Sequence, residues 1–323
     1  MTESLSQRIA ASRVLLGNPY AYLDDVGAFS GVMADQSDLA SRQSRITASR
    51  LKLQDPYAYL DGDGGFSVSS EIPTARPVVD KQVAERYAAL VRGKRRGRRY
   101  SYADIEAKAT ELQRMIWQDR DAIWSDSPPS NPIDVLDPAI GFKLLGFDFG
   151  ISESLGQHFI DGRQVEVAGL IDDSRMEVRI SRRFPAEVRR FTAAHELGHG
   201  LLHDARGLHR DRPLDGTSMP QDPVETEANK FASYFLMPAK LVGQFFVEFF
   251  GTNRFVLNEG TRFALGRGGI VNLPPSPTLR NVSRILASVD NYNGIRFYSL
   301  SQQFQVSNEA MAIRIEELEL VTM

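Results

Sequence analysis

Between residues 101 and 123 the apolar side chains Ile105, Leu112, Ile116 and Ile123 share one face of a 3.6-residue period, which predicts an amphipathic helix. Ser101 and Asp104 have the spacing of a capping box at its start, with Asp in place of the usual Glu. A shorter helix is predicted from about Asp80 to Leu90, and DSPPSNP (126–132) closes the helical region. Beyond it the pattern is mixed. FKLLGFDFGI (142–151) predicts one strand or two short ones, while RQVEVAGLIDD (163–173) and MEVRISRRF (176–184) predict a hairpin around DDSR. Pro185 opens a helix that carries FTAAHELGHGLLH (191–203), and a second helix runs from about Val224 to Leu236, stopped by Pro238. Near the end, Leu300, Phe304, Val306, Ala310 and Ile313 read as packing positions of a small helical segment. The predicted fold class is α+β: a small sheet followed by two adjacent helices.

Composition narrows the chemistry. Apolar residues make up 42% and charged residues 24%, the balance of a soluble globular protein. Net charge is −3, which gives no overall bias toward nucleic acid or membrane. Cysteine is absent, so disulfides and thiolate sites are excluded and any metal falls to His, Asp or Glu. No run approaches membrane-spanning length and the opening residues lack the apolar core of a secretion signal, so a cytoplasmic location is expected.

The first 70 residues contain a duplication. Residues 6–30 align without gaps to 43–67, identical at 15 of 25 positions, with PYAYLD at the centre of both copies. Each copy is too small to hold a core. The pair reads as tandem docking motifs whose tyrosines and leucine engage an unidentified partner with avidity, in preference to an idle tail. RGKRRGRR (92–99) holds six basic residues in eight, but no aromatic platform interleaves with them, and a solvated loop between helices is the simpler reading.

Three of the five histidines, at 195, 199 and 203, lie in FTAAHELGHGLLH. His195 and His199 are four apart, so both imidazoles share a helical face and reach one ion. Glu196 can then reach a water at that ion and act as general base. Zinc is the expected metal, with manganese as a substitute. A third ligand is available in ETEANKFASYFLMP (225–238): Glu225 is assigned to the metal, and Asn229, one turn on, to the ring N–H of a metal histidine. Glu227 is the rival ligand, read as solvated. His203 lies about 6 Å along the helix from His199, which favours a supporting role over ligation. Tyr234, His203, His209 and Arg190 are the candidates for stabilising an oxyanion.

These residues resemble the ImmA/IrrE family of metallo-endopeptidases. The likeness lies in FTAAHELGHGLLH followed by ETEANKFASYFLMP, with support from PIDVLDPAIGFKLLGFDF, the strands around AGLID and VRISRRF, and the closing LSQQFQVSNEAMAIRIEELEL. It covers about 130–240 and again 299–321. The resemblance implies a zincin-like domain, with His195, His199 and Glu225 as metal ligands, Glu196 as general base, and a helix-turn-helix repressor of stress or mobile-element genes as the protein substrate. The chain as a whole reads as segments of 1–70 (repeats, a possible docking segment), 71–130 (helices and basic loop), 131–245 (metallopeptidase core), 246–298 (insert) and 299–323 (C-terminal helices). The repeats and the insert depart from the family pattern. At the leading edge of the insert, Phe245, Phe246, Phe249 and Phe250 read as core, and GRGG within it lacks the lysine and hydroxyl of a phosphate loop.

Two other functions compete. One is an interaction protein with a structural metal; the retained Glu196 argues against it, since a structural site has no need of that carboxylate. The other is a DNA-binding regulator; the net charge and the acidic EELEL ending argue against direct nucleic-acid binding.

Overall fold

Ser101 opens helix α1 (Tyr102–Gln118) with a complete capping box: its Oγ accepts from Asp104 N–H at 3.1 Å, and Asp104 Oδ2 accepts from Ser101 N–H at 3.2 Å. Ile105, Ala109, Leu112 and Ile116 on its inner face are fully buried. A short α2 (Arg120–Ile123) follows, then a 3-10 turn (Pro132–Val135) and α3 (Pro138–Leu144). The computed structural model describes residues 85–87, 89–90, 99–124, 127–160, 163–203, 208–211, 223–266, 273–274 and 276–323, all within the unit Pro77–Met323. The repeats at 6–30 and 43–67 and nearly all of the basic run lie outside them.

The first three residues of the stretch expected as strand, 142–144, belong to α3. Asp137 Oδ1 accepts from Ala139 N–H at 2.9 Å and Pro138 supplies the first helical φ, so the helix starts where Asp-Pro dictates. Gly146, at φ +87°, ends it. Strand β1 (Asp148–Ser152) begins two residues later.

The expected hairpin forms only in part. β2 (Gln157–Ile160) and β3 (Arg163–Glu166) make a separate antiparallel pair. β4 (Gly169–Asp172) and β5 (Glu177–Ser181) make the hairpin, with Asp172 Oδ1 accepting from Ser174 and Arg175 N–H in the turn. With the edge strand β6 (Leu208–Asp211), the main sheet has the order β1-β5-β4-β6; β1 runs parallel to β5 and the other neighbours are antiparallel. Val178 and Ile180 from β5 and Ile171 from β4 point to one fully buried face.

Against that face lies α4 (Ala186–Leu202), and across α4 lies α5 (Pro223–Leu236). α1 packs on the other side of α5, where Gln113 Nε2 donates to the carbonyls of Tyr234 and Phe235 at 3.0 and 2.9 Å. Ala228, Phe231, Ala232, Phe235 and Leu236 of α5 are fully buried. Each large apolar side chain of this stripe contributes about 1.5–3 kcal/mol. That outweighs the roughly 1 kcal/mol that Gly198 or Gly200 costs α4.

The remainder is mostly helical. α6 (Ala239–Phe250) runs unbroken through the expected border at 245/246, followed by β7 (Phe255–Val256), α7 (Glu259–Gly266), α8 (Leu279–Ser288), a small β8–β9 hairpin (Asn291–Tyr292, Ile295–Arg296), α9 (Leu300–Phe304) and α10 (Asn308–Glu317). β10 (Val321–Thr322) returns to pair in parallel with β7. Phe246 and Phe250 are core, while Phe245 meets Phe304 edge-on and Phe249 stacks on Phe297. In α10 the inward residues are Met311, Ala312, Arg314 and Ile315. Ala310 and Ile313, expected to pack, are only half-buried. Arg314 lies inward, its guanidinium 4.7 Å from the centre of the Tyr234 ring and its Nε donating to Met237 O at 3.0 Å. The architecture is mixed α+β. Among the described residues no helix is long and apolar enough to cross a membrane.

Candidate metal centre

The last turns of α4 and the first turn of α5 face each other. Gly198 allows this closeness: a Cβ there would lie 3.1 Å from Phe231 Cβ and 3.2 Å from both Ala228 Cα and Ala228 O. The glycine thus serves a helix–helix crossing. Gly200, by contrast, faces Ile171 and Phe147 at ordinary contact distance.

At the crossing His195, His199 and Glu225 converge, one ligand atom from each lying within 4.8 Å of the others. His195 Nε2 and His199 Nε2 are 2.9 Å apart, and they stand 3.3 and 3.6 Å from the Glu225 carboxylate oxygens. A tetrahedral ion with bonds of about 2.0–2.1 Å spaces its ligand atoms about 3.3 Å apart. The two carboxylate distances meet that spacing, and the two nitrogens need only part by a few tenths of an ångström. The imidazoles are buried, at 0% and 1% exposure, while the Glu225 side chain is 24% exposed. The site therefore opens on the Glu225 side.

The rings are held from behind. His195 Nδ1–H donates to Asn229 Oδ1 at 2.8 Å, which leaves its Nε2 lone pair toward the cluster. His199 Nδ1 lies 3.1 Å from His203 Nδ1, and His203 Nε2–H donates to Glu227 Oε2 at 3.1 Å. His203 caps α4 in extended conformation and has left the helical row, so its ring reaches sideways. Burial, opposed by Glu227, holds His203 below the ordinary histidine range.

Glu196 is fully buried on the sheet side of α4. Its carboxylate abuts Gly169 at the start of β4. A Cβ at 169 would fall on Glu196 Oε1 and lie 2.7 Å from Thr192 Cγ2. The glycine provides the space into which the acid extends. A lone Gly at the head of a predicted strand does signal a close approach, but nothing in the sequence indicates what approaches it.

Residues 146–252 match the family model described as IrrE N-terminal-like domain, in a family named for peptidases. No curated protein matches the chain. The matched span runs from just before β1 to just after α6 and contains every residue of the centre. It supports a peptidase-like function for this part of the molecule.

The structure adds to the reading of four other residues. Glu227 is not solvated: it is 7% exposed, and its Oε1 accepts from Tyr100 N–H at 3.1 Å. It lies outside the His195–His199–Glu225 group. Arg190 turns away from the centre, donating to Leu136 O at 2.6 Å beside Asp134 and Asp137. Tyr234 lies under Arg314 and its hydroxyl is pushed up to about 12, chiefly by burial. The backbone of His209 belongs to β6, opposite Ile171, where a loop was expected.

Proposed function

We propose that the chain is a zinc-dependent endopeptidase that makes a site-specific cut in a protein, the substrate class being a helix-turn-helix repressor. The observation that carries the reading is the convergence of His195, His199 and Glu225 beside a buried Glu196. Two neutral imidazoles and a carboxylate suit zinc, and manganese by substitution. Those three residues would hold the ion, and the ion when bound supplies a Lewis acid that polarises a carbonyl and lowers the pKa of water.

The chain's own residues do the rest. Glu196, adjacent in sequence to His195 and walled in by β4, takes the proton of the attacking water and delivers it to the leaving amine. Asn229 fixes the His195 ring so that Nε2 faces the centre. The two histidines must shed protons to serve as ligands, so activity falls in acid. Selectivity comes from docking a folded protein, because one metal site reads little side-chain information. The helix-turn-helix substrate rests on the family resemblance, which the match over 146–252 supports.

The test combines metal analysis with intact-mass mapping. Wild type is expected to take up one zinc per chain and to make one defined cut in a candidate repressor. Glu196→Gln should keep the zinc and lose the cut; His195→Ala, His199→Ala and Glu225→Ala should lose both. Absence of zinc uptake by folded wild type, or full uptake by Glu225→Ala, would overturn the assignment. Indiscriminate digestion of unfolded proteins would retain the peptidase and discard the repressor.

A further inference from the structure

Thr192 stands one turn before the reacting groups on α4. Successive helical residues advance by about 100°, which puts Thr192 about 40° from Glu196 and about 20° from His199 around the axis. It therefore lies inside the stripe that carries the centre. Helical side chains lean toward the N-terminus, so Glu196 leans back over the turn that Thr192 occupies. Gly169 marks where the two meet: the point at which a Cβ would stand is 2.3 Å from Glu196 Oε1 and 2.7 Å from Thr192 Cγ2. That oxygen and that methyl are thus within about 5 Å of each other.

Thr192 is 1% exposed, and its hydroxyl has no hydrogen-bond partner among the described residues. A threonine inside a helix can turn its hydroxyl to the carbonyl three or four residues back; Thr192 does not. A buried hydroxyl without a bond is costly, and a valine would fill the same space without that cost. Packing therefore does not account for the hydroxyl, while its place beside Glu196 does.

From this placement we infer that Thr192 is a positioning residue for the general base: its hydroxyl donates to Glu196 Oε1 and leaves Oε2 for the attacking water. In the structure the methyl stands on that side. Rotation about χ1 moves the hydroxyl there between staggered positions. The rotation breaks no hydrogen bond and makes one to a carboxylate, among the stronger kinds. Gly169 and Thr192 then act on Glu196 differently. The glycine gives the carboxylate room, and the hydroxyl sets its rotation.

The inference rests on the proposed endopeptidase, but its first test needs neither metal nor substrate. In zinc-free protein made with glutamate 13C-labelled at the side-chain carboxyl, the Glu196 resonance is the one lost in Glu196→Gln. Thr192→Val keeps the shape and removes only the hydroxyl, whereas Thr192→Ser keeps the hydroxyl and removes the methyl. The Glu196 resonance should shift in Thr192→Val and hold its place in Thr192→Ser. No shift in folded Thr192→Val, or the same shift in both, would overturn the inference.

In the zinc-loaded enzyme, Thr192→Val should bind one zinc as wild type does and lower kcat by about 10²-fold, the scale of a misplaced reacting group. KM should not change, because the hydroxyl touches no substrate. Thr192→Ser should recover most of the lost rate. Full kcat in Thr192→Val, or an equal loss in Thr192→Ser, would sink the idea. Failure of wild type to bind zinc or to cut would count against the endopeptidase alone, while the carboxyl resonance still decides whether Thr192 holds Glu196.

Discussion

Gly169 determines how far the Glu196 carboxylate can extend. The two residues are far apart in sequence, yet one added methyl at 169 would occupy the space of Glu196 Oε1 and crowd Thr192. The atoms nearest that methyl belong to Glu196 and Thr192 rather than to the ligands His195, His199 and Glu225. Gly169→Ala is therefore expected to retain zinc, to lose about 1–3 kcal/mol of stability from overpacking, and to slow hydrolysis by up to the roughly 10²–10⁴-fold that a positioned general base supplies. Zinc content, thermal melting and cleavage rate measured on one preparation would separate these effects. Unchanged cleavage in a folded Gly169→Ala would mean that the carboxylate works from another position. At this scale the sequence was legible for groups that act along one helix. Four-residue spacing alone places His195 with His199 and Glu225 with Asn229. It was not legible for Glu227 or Gly169, whose partners His203, Tyr100 and Glu196 sit on other elements.

Among the elements, the α4–α5 crossing governs the centre, and its two glycines should respond oppositely to substitution. Gly200→Ala meets only ordinary van der Waals neighbours, so the gain in helix propensity, up to about 1 kcal/mol, should raise the melting temperature. Gly198 faces the backbone of Ala228, which cannot swing aside as a side chain can. Gly198→Val should destabilise by about 1–3 kcal/mol and weaken zinc binding, because pushing α5 away moves Glu225 and Asn229 together. Melting curves and chelator competition on the two variants check this; equal behaviour at 198 and 200 would remove the crossing from the explanation. Periodicity and capping revealed α1, α4 and α5, since amphipathic stripes and Pro or Ser starts are local signals. Residues 142–144 misled because an apolar run fits helix or strand equally. Asp137-Pro138 was the local feature that settled it. The pairing of β7 with β10 had no such signal, since two-residue strands distant in sequence leave no pattern to read.

Across the molecule, the C-terminal helices are joined by charge. Arg280 donates to both oxygens of Glu316, at 2.8 Å each, and with Arg284 it also holds Glu309, at 2.6 Å each. The hydrogen bond from Arg284 holds Glu309 below the ordinary carboxylate range, and that from Arg280 does the same for Glu316. A depressed folded pKa means the contribution is fully present above the unfolded value, about 4.3, and is lost as pH falls through the folded one. Wild type and Glu316→Gln should therefore differ in melting temperature at pH 6, and the difference should shrink below about pH 4 as the wild-type acid protonates. A gap that persists undiminished at pH 2.5 would show that the side chain contributes by packing rather than by charge.

The aromatic row on α6 has a consequence for how the chain must be made. Phe245, Phe249 and Phe250 find ring partners in Tyr292, Phe297 and Phe304, all later in the sequence. A ribosome releases α6 before any of these partners exist. For several seconds, at the roughly 5–20 residues per second of synthesis, the nascent chain carries an uncovered phenylalanine surface beside a half that already holds every ligand of the centre. Binding by a chaperone at α6 would suit that interval, and a chain stopped near residue 252 would keep the whole candidate centre yet be left with an adhesive flank.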